Sequence, residues 1–456
     1  MTTVKISFSE NKLPDGSKAP ALFQLIKWIA RPFEYLEECS KKYGDIFTMR
    51  LFGFPPLVFI ANPQGIKDIF SADAQYFDVG RTNDLARPIL GDNSLILMDG
   101  ARHKRERKLL MPPFHGEKVK SYAESICEIT EKVASRWELN KPFIARNATQ
   151  EITLKVIMQT VFGFSEGERC EQLRYLLADW LDITASPARS SFIFLKFLQI
   201  DLGAWSPWGN FIRIQQKVYN LLQAEIEDRR AKPEKLGNDI LSLMLSVTDE
   251  DGQRMSDDQL KDELITLLFA GHETPATALA WAFYWLEKSP QVKAKLLQEI
   301  DSLGENPAPI EISRLPYLTA VCQETLRLYP IVPIAMARVA KQELEIMGRK
   351  FEAETTFIPC IYLIHHREDL YPNSQQFQPE RFLERQYTPY EFIPFGGGVR
   401  LCLGYALAML EMKLVLASIV SKYNLALADH KPIKPMRRGG TITPRDGVPL
   451  VLTGFR

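Results

Sequence analysis

A glycine-rich segment ahead of a lone cysteine is the strongest chemical signal in the chain. The segment reads Phe395-Gly396-Gly397-Gly398-Val399-Arg400-Leu401-Cys402-Leu403-Gly404, and an apolar stretch at helical spacing follows it. Glycines adopt backbone dihedrals closed to other residues and allow close approach to a flat cofactor. A cysteine at a helix N-terminus has a lowered thiol pKa, which favours the thiolate that binds metals. The segment is compatible with a metal-ligating Cys402, but an isolated cysteine after a loop is far more often a buried structural residue.

A second group of reactive residues interrupts a long apolar helix. Ser256 and Gln259 have the spacing of a capping box, and the helical pattern continues to Ser289-Pro290. Such a helix is about 50 Å long, so its apolar middle must cross the interior. That middle contains Gly271-His272-Glu273-Thr274-Pro275. Because Pro275 cannot donate to the Gly271 carbonyl, we expect a freed carbonyl and a bend beside these residues.

Two further pairs of polar residues have the spacing of neighbours on a helix. Glu324 and Arg327 are three residues apart, and His103 and Arg107 are four apart. Taken alone, the first pair is a weak signal, because ordinary surface ion pairs are common at this spacing. The second pair is equally compatible with solvated surface charge. These spacings acquire a specific meaning only together with the cysteine segment.

The pattern Phe-x-x-Gly-x-Arg-x-Cys-x-Gly around Cys402 resembles the haem-binding signature of the cytochrome P450 family at every fixed position. Glu324-Thr325-Leu326-Arg327 resembles the family's E-x-x-R motif, and Pro379-Glu380-Arg381-Phe382 resembles its P-E-R-F element. The resemblance extends from about Tyr43 to the end of the chain. It implies a mainly α fold with small β-sheets and a haem between the oxygen-site helix and the cysteine-ligand helix. It also implies one haem domain over residues 1–456, whose N-terminal part and strands near 51–60 and 344–360 form a small β-rich subregion.

The resemblance also assigns roles to individual residues. Haem b (iron protoporphyrin IX) is the implied cofactor, and Cys402 is its metal ligand. Further cofactor contacts are implied for Phe395, Gly404 and Ala270, and contacts with the haem propionates for His103, Arg107, Arg338 and Arg400. Glu324, Arg327 and Arg381 would form a buried triad that supports the cysteine loop.

The long helix would carry the oxygen site. Thr274 would hydrogen-bond the dioxygen and its waters, Glu273 would relay protons, and Gly271 would leave room for oxygen. His272 is expected to face away from the iron. Many members of the family have Thr where this chain has Pro275, which leaves the exact chain of waters open.

The implied reaction is insertion of one oxygen atom from O2 into an apolar substrate. The chain shows no flavin, nicotinamide or iron–sulfur motif, so we expect a separate electron donor, such as a ferredoxin with its reductase. A basic run, Arg102, Lys104, Arg105 and Lys108, is either a solvated helix face or the docking surface for that donor. The retained Glu273-Thr274 pair favours oxygen activation over two alternatives, a non-catalytic haem-thiolate sensor and a peroxide-rearranging enzyme.

The substrate is expected to be apolar and long or bulky. The segments KLPDGSKAP, KKYGDIFTM, ANPQGIKDIF and MPPFHGEKVK resemble a cyanobacterial branch of the family associated with long-chain fatty acids and terpenoids. We favour fatty-acid hydroxylation, with terpenoid oxidation as the alternative. Arg81, Arg87 or Lys196 could anchor a carboxylate. An aromatic stripe between about residues 176 and 208 is either core packing or a substrate lid.

The bulk composition limits the remaining possibilities. Among 456 residues, 56 Lys and Arg balance 56 Asp and Glu, which gives no reason to expect nucleic-acid binding. The six cysteines form no CxxC pair, which favours a reducing, cytoplasmic compartment. The longest apolar stretch near the N-terminus, residues 21–30, is too short for a membrane span, so we expect a soluble protein without a membrane anchor.

Overall fold

The computed structural model describes residues 13–163, 167–185, 199–250, 252–429 and 431–456. Chain contacts divide it into two compact units. Of these described residues, unit 1 comprises those within 13–82, 332–374 and 387–401, and unit 2 comprises those within 83–331, 375–386 and 402–456. The assignment of the whole chain to one haem domain stays a prediction.

Unit 1 contains most of the short strands. Its helices are α1 (Ala21–Ala30), α2 (Pro32–Tyr43), α3 (Pro63–Ser71) and α16 (Ile361–His365). Its strands are β1 (Ile46–Met49), β2 (Leu57–Ile60), β3 (Phe77–Asp78), β5 (Arg338–Ala340), β6 (Leu344–Ile346), β7 (Arg349–Phe351) and β8 (Thr356–Pro359). Five of these strands form one sheet in the order β1-β2-β8-β5-β3, and β6 pairs with β7 in a hairpin.

The predicted strands near 51–60 and 344–360 therefore lie in one unit. One boundary was wrong, because the first strand of the N-terminal hairpin is Ile46–Met49, before Leu51. Residues Phe47, Thr48 and Met49 are all buried, so this strand lacks the alternation that marks an exposed strand in sequence.

Unit 2 is predominantly helical. Its helices are α4 (Arg87–Leu90), α5 (Gly100–Leu110), α6 (Gly116–Lys120), α7 (Ala123–Ala134), α8 (Ala145–Phe162), α9 (Glu168–Ala185), α10 (Pro207–Ala231), α11 (Ile240–Ser246), α12 (Asp257–Lys288), α13 (Pro290–Asp301), α14 (Pro309–Ile312), α15 (Pro316–Leu328), α17 (Arg381–Glu384) and α18 (Tyr405–Val420). Its strands are β4 (Pro142–Ile144), β9 (Tyr423–Leu427), β10 (Pro435–Arg438), β11 (Thr441–Pro444) and β12 (Pro449–Phe455). Strands β4, β12 and β9 form one sheet, and β10 pairs with β11.

Helix α12 is the centre of unit 2 and packs against α8, α15 and α18. The predicted capping box is present, since the Ser256 hydroxyl accepts from the Gln259 N–H and the Gln259 side chain accepts from the Ser256 N–H. The helix continues through Pro275 and ends at Lys288, as the sequence predicts. The polar middle of α12 packs against α8. No helix among the described residues combines the length and apolarity that a membrane span requires.

Candidate active site

The predicted metal ligand lies at the start of a helix in unit 2. Helix α18 begins at Tyr405 with Gly404 as its N-cap, so Cys402 precedes the cap by two residues. Cys402 is the one of the six free cysteines that is exposed when the whole residue is considered. Its sulfur is more buried than the residue as a whole, and this loss of hydration raises the thiol pKa above the ordinary value. The Gly404 N–H and the nearby Arg107 charge lower the pKa, but less than burial raises it, so the predicted net lowering was wrong.

Unit 1 carries the glycine loop that precedes the cysteine. Gly396 and Gly398 have φ values of 69° and 62°, which favour glycine. A Cβ on Gly397 would lie 2.3 Å from the Phe70 ring, and one on Gly398 would lie 2.5 Å from the Phe70 carbonyl oxygen. The loop therefore lies flat against α3, which is why larger residues do not fit. The sequence carried no signal for the role of Phe70.

Arg338 lies in the same unit and beside the same ring. The side chain is buried at the start of β5, with its guanidinium 5.8 Å from the Phe70 ring centroid. Its Nη1 donates to the Met336 carbonyl at 2.7 Å. Arg400 lies in a short 3₁₀ turn, Gly398–Arg400, and Arg400 and Phe395 are both half-buried. Unit 1 therefore assembles Arg338 and the glycine loop around Phe70.

Helix α5 in unit 2 has a buried face and an exposed face, and its basic residues are divided between the two. His103 is buried and Arg107 is half-buried, whereas the predicted basic run is exposed. Burial lowers the pKa of Arg107, and the nearby Cys402 raises it. Arg107 is thus brought near the cysteine.

The exposed basic face of α5 is largely paired within the chain. Arg102 donates to Asn93 at 2.7 Å, Arg105 lies 3.5 Å from Asp249, and Lys108 lies 2.7 Å from Glu250. These contacts offset part of the positive charge of the face. Its role in docking a donor stays a prediction.

The middle of α12, where the sequence predicts the oxygen site, is more exposed than the part of the helix that follows it. Residues 275–284 are all buried, but Ala270 is exposed and Thr274 is partly exposed. The Thr274 hydroxyl donates to the Ala270 carbonyl at 2.6 Å. A Cβ on Gly271 would lie 2.6 Å from Ile157 Cδ1, so the glycine allows α8 and α12 to pack closely. This contact gives Gly271 a packing role in addition to the role predicted for it at the oxygen site.

Glu273 contacts α8, which sequence spacing could not show. Its Oε1 forms an ion pair with Arg146, and its Oε2 accepts from Gln150 Nε2 at 2.9 Å. His272 also faces α8, where its Nδ1 lies 3.0 Å from the Thr153 hydroxyl. Burial lowers the His272 pKa to about 4, so the imidazole is neutral at physiological pH. The interpretation of His272 as a packed residue rather than an iron ligand agrees with these contacts.

The three predicted structural-support residues meet in unit 2. Glu324 and Arg327 are completely buried, and Arg381 is 7% exposed. Arg327 forms a bidentate pair with Glu324, with Nε to Oε2 at 2.7 Å and Nη2 to Oε1 at 2.9 Å. Arg381 Nε and the Gln378 N–H donate to Glu324 Oε1 at 3.2 and 2.9 Å. The carboxylate is therefore fully occupied by donors, as burial of a charge requires.

These side chains have the chemistry that a haem requires. Cys402 offers a sulfur ligand with the Gly404 N–H beside it, and thiolate is a haem-iron ligand. Guanidinium groups suit the two propionate carboxylates. The half-buried Arg107 lies near Cys402 in unit 2, and the buried Arg338 lies beside Phe70, the ring that packs on the glycine loop of unit 1. These side chains therefore fit a bound haem.

Comparison with known proteins decides the family. The model of the family described as Cytochrome P450 matches residues 14–450. The chain belongs to the cytochrome P450 family. The protein named cytochrome P450 135B1 of Mycobacterium tuberculosis is 34% identical over 450 residues, covering 97% of this chain and 92% of the relative. The M. tuberculosis protein named cytochrome P450 138 is 31% identical over 442 residues, with coverage of 97% and 96%.

Solved structures agree with this assignment. A retinoic acid-bound cyanobacterial P450, CYP120A1, superposes with a TM-score of 0.83 at 25% identity, covering 98% of this chain and 99% of that chain. The haem domain of cytochrome P450DA superposes with a TM-score of 0.83 at 23% identity, covering 98% of each chain, which shows the fold. The predicted mainly helical P450 fold, the haem b cofactor and the monooxygenase class are confirmed. A P450 of this class requires an organic substrate, O2 and an electron donor.

Proposed function

We propose that this P450 binds haem through Cys402 and hydroxylates a long-chain fatty acid, with electrons from a separate donor such as ferredoxin and its reductase. The observation that supports the ligand most directly is the position of Cys402, an exposed residue two positions ahead of the α18 N-cap and near Arg107. Bound haem supplies the oxygen-activating chemistry, to which a thiolate ligand contributes electron density. His103, Arg107, Arg338 and Arg400 hold the propionates, and Phe395, Gly404 and Ala270 line the cofactor. The six free cysteines support a cytoplasmic location.

In this proposal, residues of α12 control the delivery of protons to the oxygen site. Thr274 presents its hydroxyl at the accessible part of the helix, where it can exchange its bond to the Ala270 carbonyl for bonds to dioxygen and water. Glu273, one residue earlier, is the acid that passes protons toward that hydroxyl. Gly271 is assigned to leave room for oxygen at this part of the helix, although the side that its own Cβ would occupy is filled by Ile157 of α8.

The preference for an apolar substrate is supported by apolar residues beside the accessible part of α12. Phe269 packs edge-on against Trp180 at 5.1 Å, and Trp180 packs on Phe211 at 5.8 Å. Trp180 is completely buried and belongs to the core, whereas Trp205 is 96% exposed. Phe192, Phe194 and Phe197 of the predicted stripe lie outside the described residues. Phe269 is therefore a half-buried apolar residue next to the exposed Ala270.

The arginines considered as carboxylate anchors are already paired. Arg81 contacts Glu354 at 2.6 Å, and Arg87 contacts Asp84 and Asp92 at 2.7 Å each. Lys196 lies outside the described residues. Among the described candidates, then, the contacts favour recognition of a fatty acid by its apolar chain over an anchor at Arg81 or Arg87. The retinoic acid bound to CYP120A1 favours a second candidate, a terpenoid acid.

We expect substrate addition to distinguish the two lipid classes. Palmitate should shift the Soret band of the ferric protein at lower concentration than retinoic acid does, and its turnover with ferredoxin, reductase and NADPH should yield hydroxypalmitate by mass spectrometry. Product formed only from retinoic acid would favour the terpenoid candidate. Oxygen uptake that matches product distinguishes a monooxygenase from a sensor or a peroxide-rearranging enzyme.

We expect Thr274→Ala to uncouple turnover while haem content stays at the wild-type level. Without the hydroxyl, oxygen is still reduced but protons arrive without control, so product per NADPH should fall several-fold and peroxide should rise. Simultaneous measurement of product, peroxide and NADPH tests this. Glu273→Gln should instead slow NADPH oxidation, because a proton-carrying acid has been removed.

Thr277→Ala is the matched control, since Thr277 lies three residues further along α12 and is completely buried. Its loss removes a core hydroxyl and should leave coupling unchanged. Equal coupling in Thr274→Ala and Thr277→Ala would contradict the role of Thr274.

A further inference from the structure

The acid of the α12 oxygen site is held by a residue that no motif identifies. Arg146 lies in the first turn of α8 and is 5% exposed, and the side chain of Glu273 is 19% exposed. The two form an ion pair across 127 residues of sequence. A partly buried ion pair with further hydrogen bonds restricts both side chains to one geometry. Arg146 therefore determines where the Glu273 carboxylate lies.

Gln150 completes the arrangement from the next turn of α8. Its side-chain oxygen accepts from Arg146 Nη1 at 3.2 Å, and its Nε2 donates to Glu273 Oε2 at 2.9 Å. Arg146 and Gln150 thus occupy both carboxylate oxygens of Glu273 and also contact each other. This closed triangle leaves the acid little freedom to rotate.

The backbone of Arg146 is fixed by the turn after β11. The Arg146 N–H donates to the Gly447 carbonyl at 2.9 Å, and the Ala145 N–H donates to the Val448 carbonyl at 2.9 Å. These bonds satisfy N–H groups that a helix start leaves unpaired. A Cβ on Gly447 would lie 2.5 Å from Ile144 and 3.4 Å from the Arg146 Cβ, and Val448 has a φ of 64°, which is rare for a β-branched residue. The turn is therefore shaped closely around the base of Arg146.

The register between α8 and α12 is fixed on both sides of Glu273. The Thr153 hydroxyl donates to the His272 carbonyl at 3.0 Å, and the Thr149 hydroxyl donates to the Ala276 carbonyl at 2.8 Å. Both threonines are buried. Helix α8 thus holds the α12 backbone on either side of Glu273 while Arg146 holds its carboxylate.

We propose that Arg146 is a positioning residue for proton delivery, which holds the carboxylate of Glu273, the residue before Thr274, in one place against α8 and affects turnover only through Glu273. The inference rests on the proposed function, because it requires Glu273 to carry protons. Arg146 itself contacts Glu273 and Gln150, and its contribution is the placement of the acid.

A double-mutant cycle with the haem-loaded protein, ferredoxin, reductase, NADPH and palmitate tests this inference. Arg146→Gln should lower kcat about tenfold and increase the solvent deuterium isotope effect, because a misplaced acid slows a proton-transfer step. Arg146→Lys keeps the charge and should restore kcat to within about threefold of wild type. In a Glu273→Gln background, Arg146→Gln should change kcat by less than about twofold, since the residue through which it acts is gone.

Arg136→Gln is the matched control. Arg136 pairs with Glu151 of α8 at 2.6 Å, but its side chain is 56% exposed, so its loss should leave kcat and the isotope effect unchanged. If Arg146→Gln does not fold, Gln150→Leu serves instead. It removes the bond to Glu273 Oε2 without changing charge, and it should lower kcat about threefold only when Glu273 is present.

Failure of the proposed function and failure of the inference about Arg146 would give different results. A wild-type protein that consumes no oxygen with NADPH and donor would refute the proposed function, and the inference would fall with it. An active wild type whose Arg146→Gln effect persists in the Glu273→Gln background would overturn the inference alone. A rise in kcat on Arg146→Gln would also overturn it, because the pair would then restrain the acid rather than place it.

Discussion

Cys402→Ala is expected to abolish the ferrous carbon-monoxide Soret band typical of thiolate ligation and to reduce monooxygenase product to the background. Alanine offers no ligand atom, so any haem that is retained would be bound without the thiolate electron donation that favours O–O cleavage. Carbon-monoxide difference spectra and product assays on the purified variant test this directly.

The environment of Cys402 explains why cofactor binding matters for its protonation state. Burial raises the pKa of the Cys402 thiol, and the Gly404 N–H and Arg107 oppose that rise only in part. A coordinating thiol is deprotonated by the metal itself. Haem binding at Cys402 should therefore release a proton, which can be measured with a pH indicator in weakly buffered solution.

Two variants make the ligand test specific. Cys402→Ser keeps a small polar side chain but no thiolate, so it should lose the band as well. Cys127→Ala removes a half-buried cysteine elsewhere in unit 2 and should keep the wild-type band. Retention of an unchanged thiolate band in Cys402→Ala would refute the ligand assignment.

Glu324→Ala is expected to produce the largest loss of stability. The substitution leaves the Arg327 guanidinium completely buried and without its bidentate partner, and it removes an acceptor from Arg381. Breaking a buried ion pair in this way costs about 3–5 kcal/mol. That is a large share of the roughly 5–15 kcal/mol by which proteins are stable. We therefore expect a much lower urea midpoint, followed by circular dichroism, and poor haem incorporation.

Lys295→Ala provides the matched control. Lys295 pairs with Glu380, next to Arg381, at 2.6 Å, but its side chain is 56% exposed. Exposed pairs contribute roughly 0–1 kcal/mol, so the urea midpoint should change little. A Glu324→Ala protein as stable as Lys295→Ala would show that the triad does not support the fold.

The sequence by itself determined those features that depend on neighbours along the chain. The Ser256 capping box and the period of 257–288 are local, and both predict α12 correctly. Strands near 344–360 were likewise predicted, and the structure shows there the β6–β7 hairpin, whose turn contains Gly348 with a φ of 71°. The cysteine segment and the E-x-x-R spacing identified the family because each motif lies within a few residues.

Only the tertiary structure decided which distant side chains meet. Arg146 and Glu273 are 127 positions apart, and neither stands in a pattern that predicts the other. Phe70 contacts the glycine loop more than 300 residues away, and the basic face of α5 is partly neutralised by acids near residue 250. The raised pKa of the Cys402 thiol has the same origin, since burial depends on all the surrounding segments together. Helical period and capping act over one or two turns, whereas ion pairing, close packing and desolvation depend on the folded chain.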